Sequence, residues 1–237
     1  MGYVCTMISK FSPLLVSLFL SGIGLTLQGC FIATAYTHSE FKRAKELTPF
    51  DVVIVPGVPY TDTALGDIFK ARILWAKYLY DNKLAKNLIF SGSAVYSPYV
   101  EGKVMKIFAD SLGIPSKHTF SESKAEHSTE NVYYSWLMAK EMGFTNIAVA
   151  SDPFQILMLK SFIRKRTPGV NTIPIVFQWI DMKKVLPKID PATAVKKHFV
   201  SIMEKESFSE RFKGTRGKKI KFVSDSKIDS VEVSPKD

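Results

Sequence analysis

Two hydrophobic periods alternate along this chain. Short β-branched or apolar runs occupy residues 51–57, 87–92, 118–121, 146–151 and 170–177, and four of the five end in Gly or Ser. Runs of this length and composition predict buried strands of a parallel sheet. Between them lie stretches with apolar residues three to four apart, which predicts helices over 65–82, 100–112, 128–142 and 153–165. The first carries Ile68, Ala71, Trp75, Tyr78 and Leu79 at that spacing, and the second stops at Gly113-Ile114-Pro115. Ser128 and Asp152 stand where N-caps belong, with Pro153 at a first helical position. Residues 191–212 read as a final amphipathic helix.

Strand–helix alternation with short loops predicts an α/β fold: a three-layer α/β/α Rossmann-like sandwich with a mostly parallel sheet of about five strands. The core domain spans 48–180, the C-terminal helix 191–212 packs on it, and 213–237 forms a basic, mobile tail. In such sheets ligands bind beyond the carboxyl ends of the strands. The loops 57–66, 91–99, 121–128 and 151–154 converge there.

The N-terminus differs from the body. Lys10 is the one charge in residues 1–27, and an apolar run follows it, the pattern of an export signal. The run ends in Leu27-Gln28-Gly29-Cys30, which resembles a bacterial lipobox with Cys30 as the lipidated residue. Residues 11–36 lack charge and also suit an uncleaved membrane-spanning helix. A buried helix of a cytoplasmic protein is the third reading. The first two place the body in the cell envelope, outside the cytoplasm and tethered to a membrane.

Composition narrows the chemistry. With 237 residues, 46% hydrophobic, there is enough apolar surface for one domain and no case for global disorder. Cys5 and Cys30 are the two cysteines, so the body has neither a disulfide framework nor a thiol nucleophile. His38, His118, His127 and His198 include no H-x-x-x-H pair, and no metal site is expected. The net charge is +10, and six cations without an acid fall within 211–221. Lipid head groups are the simplest anionic partner for that stretch. Nucleic acid is not expected, because Phe212 is its one aromatic.

Within the converging loops the candidates have two uses each. Gly57 and Gly92 allow close backbone approach to a ligand, or merely turn the chain. Arg72, on a mostly apolar helix, suits bidentate capture of phosphate or carboxylate, or an ion pair. Glu101, Glu122 and Glu130 offer carboxylates for proton transfer, or charge at helix starts. Asn131 binds ligand or fixes its loop, and His127 is an acid–base group or a surface loop residue. Ser91 and Ser151 follow strands without G-x-S-x-G, so they are not read as nucleophiles.

These residues stand in an order that resembles the SanA/ElyC/YdcF-like envelope proteins, a family of Rossmann-like domains of unknown function. The resemblance runs from Asp51 to about Lys165. It comprises Asp51 and Gly57 around the first strand, then Arg72, Ala76, Leu79 and Tyr80 on the first helix. Ser91-Gly92, Glu101, Met105 and Gly113-Ile114-Pro115 follow. Glu122, Ser128, Glu130 and Asn131 come next, then Ser151-Asp152-Pro153-Phe154. The resemblance implies a role in envelope barrier function or wall synthesis, and a pocket for a small anionic ligand. S-adenosylmethionine or another nucleotide is the cofactor it suggests. Departures occur at Val58 and Pro59, Ser93 and His127. Gln155 and Met158 stand where many members have His and Arg. The alternative they raise is a non-catalytic adaptor that binds lipid or protein through its basic tail.

Overall fold

The computed structural model describes residues 34–61 and 66–223. Cys30, residues 1–33 of the N-terminal run and residues 224–237 of the tail lie outside the described residues.

Five parallel strands form one sheet in the order β3-β2-β1-β4-β5. They are β1 (Val52–Pro56), β2 (Leu88–Ser91), β3 (Thr119–Glu122), β4 (Ile147–Ser151) and β5 (Asn171–Pro174). Each lies within about three residues of a predicted run. The helices are α1 (34–45), α2 (Asp67–Asp81), α3 (Glu101–Ser111), α4 (Ser128–Glu141), α5 (Pro153–Arg166), α6 (Ile202–Lys205) and α7 (Phe208–Thr215). The chain builds outward from β1 to β3, then crosses to β4 and β5. Helices α1, α2 and α3 cover one face, and α4 and α5 the other.

Strand side chains alternate between these layers as a two-residue period demands. Val53 and Val55 of β1 join the cluster under α1, α2 and α3. Val52 and Ile54 join Val132, Trp136, Ile156 and Leu159 under α4 and α5. Because both faces are covered, β1 is apolar throughout rather than alternating.

Connection order reverses between β1 and β4, so the loops leaving their carboxyl ends diverge to opposite faces. This opens the crevice in which doubly wound sheets hold ligands.

The C-terminal region corrects the sequence reading. Residues 191–212 are not one helix. A 3-10 turn (Ala192–Ala194) leads into extended chain, and α6 and α7 follow. The backbone is drawn off to the β2–α3 loop. Val100 N donates to Ala194 O, Lys196 N to Pro98 O, and Ile202 N to Val95 O. These bonds satisfy loop amides and carbonyls that would otherwise lack partners. Ser201 and Ser207 then cap α6 and α7 separately.

The start of the supposed tail is also docked rather than free. Ile220 is buried in the α4–α5 cluster, and Val223 N donates to Tyr133 Oη. Thr129 Oγ1 donates to Gly214 O. The described residues contain no helix long and apolar enough to cross a membrane.

Candidate ligand-binding site

At the crevice the first fixed group is Arg72. It projects from α2 and is buried to 4% exposure. Its Nη1 donates to Pro56 O and Gly57 O, each at 2.9 Å. Its Nη2 lies 2.6 Å from Asp152 Oδ2. Asp152 is the N-cap of α5 and accepts Gln155 N through Oδ1, as its sequence position predicts. Burial alone would raise the Asp152 pKa, but the Gln155 N–H and the Arg72 guanidinium together hold it below the ordinary carboxylate range. Arg72 is thus a clamp across the switch point, tying the end of β1 to the start of α5. Its fork is not aimed as a pair at a ligand.

Glu101, at the first turn of α3, is buried beside this clamp. Its carboxyl receives no hydrogen bond from the described residues. Burial pushes its pKa up to about 8, with the nearby Arg72 charge opposing. Gly57 and Gly92 leave room for this side chain. A Cβ on Gly57 would come within 2.4 Å of Glu101 Oε2, and also within 2.3 Å of Ser91 O. Gly92, at φ +132°, would bring a Cβ to 2.9 Å from the same carboxyl oxygen. The two glycines therefore give close approach to a protein carboxyl, and Gly57 also reaches the cleft described below.

Ser91, Glu122 and Asn131 form a polar cluster at the ends of β2 and β3. Ser91 Oγ lies 2.6 Å from Glu122 Oε2 and 3.0 Å from Asn131 Oδ1. Glu122 Oε1 accepts the backbone N–H groups of Lys124 and Ala125. Burial raises the Glu122 pKa against these bonds. Ser151 Oγ similarly bonds Gln155 Oε1 at 2.6 Å.

A cleft of about 200 Å³ opens above these groups. Gly57, Arg72, Glu101, Ser128, Asn131 and Gln155 all line it. Ser91, Gly92, Glu122, Glu130 and Ser151 do not, and serve as its supports. Glu130, for example, turns its Oε2 back to Glu126 N at 2.8 Å. A groove of about 820 Å³ between α5 and α7 adjoins the cleft, and both share Arg72, Ser128, Gln155 and Thr215.

The N-terminus of α4 opens on this cleft. His127 is the N-cap, with Ser128 as the first helical residue, so the predicted Ser128 cap is displaced by one. No side chain caps the helix. The neighbouring starts differ: Asp152 caps α5, and Glu101 N and Gly102 N at α3 donate to Ser93 O and Gly92 O. First-turn N–H groups without a cap, aligned with a helix dipole, suit an anion.

Sequence reasoning missed the fourth wall. Arg211 and Thr215 of α7 and Ile202 of α6 line the cleft. His127 is not a surface loop residue but is buried beneath α7. Its Nε2 is 3.4 Å from Glu206 Oε2, and a Cβ on Gly214 would meet its ring at 2.2 Å. Gly214 was the available signal, a small residue inside a basic helical stretch, but nothing in sequence names the surface it must fit. Among the described residues no group of His, Cys, Asp and Glu side chains could hold a metal ion. Compared with protein-family models, curated proteins and solved structures, the chain matches none.

Proposed function

We propose that this chain is a membrane-tethered envelope protein of the SanA/ElyC/YdcF-like type, with a cleft for a small anionic, nucleotide-like ligand, acting in envelope or wall integrity. The observation that carries the ligand class is the uncapped N-terminus of α4, which faces a cleft bounded by Ser128, Asn131, Gln155 and Arg211. The Arg72 charge is spent on Asp152, so the α4 amides and Arg211 supply the attraction for an anion. Burial favours the protonated form of Glu101 on the cleft wall, and in that form it can donate a hydrogen bond or a proton. S-adenosylmethionine, other nucleotides and sugar-nucleotide wall precursors are the ligands to try.

The adaptor alternative draws on Met158, which stands exposed on the groove beside Gln155. A thermal-shift screen of the full chain in detergent distinguishes the two. A ligand present at a hundred times its dissociation constant adds about 2.7 kcal/mol of stability. The expected result is a rise in Tm with at least one anionic compound, abolished by Arg211→Ala and weakened by Gln155→Ala. Silence across the panel favours the adaptor.

A further inference from the structure

A second surface lies apart from the cleft. Along α5, Phe154 is 73% exposed, and Leu157 and Met158 are also exposed. Phe208, 78% exposed, and Phe212 stand one turn apart on α7. Phe154, Met158 and Phe212 line the α5–α7 groove together. On the other flank of α5, Leu157 lines a shallower hollow with Arg43, Lys160 and Arg164. The apolar strip therefore runs from the α1 side of α5 across to α7. Soluble surfaces rarely carry apolar residues this large in one contiguous strip without a partner.

The charge lining the groove and the hollow is almost all of one sign, with Glu210 of α7 the exposed acid between Phe208 and Phe212. Lys165, Arg166 and Arg216 line the groove, and Arg43, Lys160 and Arg164 line the hollow. Asp152, already neutralised by Arg72, is the one acid lining either. Glu40 bonds Arg43 and Lys160, but it is buried behind them. Large apolar side chains bordered by an excess of cations are the pattern of a surface that rests in the interface of an anionic bilayer.

The chain path agrees. Tyr36 closes the uncharged run of residues 11–36. It lies in α1 with its ring 5.5 Å from Lys160 Nζ, one turn from Leu157. Tyr36 therefore stands on the flank that bears the strip. We propose that the α5–α7 face docks on an anionic lipid surface, with Phe154, Leu157, Met158, Phe208 and Phe212 entering the interface and the surrounding cations meeting lipid phosphates. The proposal rests on the reading that the chain is membrane-tethered. Docked in this way, the groove and the cleft that adjoins it open toward the bilayer.

The test uses the full chain reconstituted in phosphatidylcholine vesicles with and without phosphatidylglycerol, each prepared with and without dibrominated acyl chains. Phe154→Trp and Phe208→Trp report at the strip, and Lys117→Trp reports from the opposite end of the sheet. Trp75, Trp136 and Trp179 provide a background that the unsubstituted chain measures. A residue seated at the headgroup–acyl boundary comes within reach of bromine, so the added signal at 154 and 208 should fall roughly twofold in brominated anionic vesicles. It should fall less without phosphatidylglycerol, and not at all at 117. Replacing Arg164, Lys165 and Arg216 with Gln should shrink the quenching in anionic vesicles. Vesicle flotation in the same samples reads the tether separately. A chain that floats without quenching at 154 and 208 overturns the docking face and leaves the tether standing. A chain that floats with neither vesicle overturns both.

Discussion

At the scale of single residues, Glu101 is a carboxyl held out of water. Its carboxyl sits over two glycines, accepts no hydrogen bond from the described residues, and has its pKa raised from 4.5 to about 8. The folded form therefore holds a proton that the unfolded form releases across the window from about 4.5 to 8. Stability from this group is full below the unfolded value and is lost as pH rises through the folded one, at up to about 1.4 kcal/mol per pH unit. Glutamine has the shape of the protonated acid without its titration. Glu101→Gln should thus be near neutral at pH 5 and more stable than the parent at pH 8, by an amount on the order of a few kcal/mol. Urea unfolding of both proteins at the two pH values reads this difference directly. Glu122 titrates in the same direction and Asp152 in the opposite one, but both are common to the pair and cancel. A difference that does not change with pH would mean the carboxylate is ionised in the fold.

At the scale of elements, the Arg72–Asp152 pair joins α2, β1 and α5 across the switch point, beyond the last β1–β4 partners Ile54 and Val149. Removing one member of such a pair leaves a buried charge and costs about 3–5 kcal/mol. Arg72→Met also removes the donor to the Pro56 and Gly57 carbonyls, so it should sit at the upper end. Asp152→Asn keeps an oxygen for Gln155 N and should cost less. The double variant should be more stable than the sum of the two losses implies, and a urea double-mutant cycle measures that coupling. Additive losses would show that Arg72 acts through the two carbonyls alone. This pair also marks the limit of what sequence conveys. The cap-and-proline signal at Asp152-Pro153 and the apolar run from Val52 to Val55 are local, and both are legible because local chemistry dictates them. Arg72 was legible as an important cation but not as a clamp, since its partner is eighty residues away. Gly57 and Gly92 were legible as close-approach positions, while the carboxyl approaching them was not. The final helix misled for a related reason. The periodicity of 191–212 is real, but it cannot register that loop 93–100 needs partners for its backbone.

At the scale of the whole molecule, residues 192–223 bind the β2–α3 loop, roof the cleft and close the α4–α5 face. The strap has two anchors beyond its first backbone bonds. Gly214 rests directly on the buried His127 ring, and Ile220 is buried with Tyr133 and Phe162 nearby. The anchors differ in what they control. Ile220→Ala removes buried apolar volume and should cost about 2–5 kcal/mol, without displacing the α7 residues that face the cleft. Gly214→Ala forces a methyl into the imidazole, so either α7 lifts or His127 leaves its seat, at about 1–3 kcal/mol. Lifting α7 withdraws Arg211 and Thr215 from the cleft. Limited proteolysis with thermal unfolding separates the two variants: Gly214→Ala should open new cleavage around 207–217 while the five-stranded core stays protected. Any anion that raises the Tm of the parent should lose its effect on Gly214→Ala but keep it on Ile220→Ala. Equal protection and equal ligand response in the two variants would mean that the ring yields instead, and that the α4 amides rather than α7 dominate the attraction for the anion.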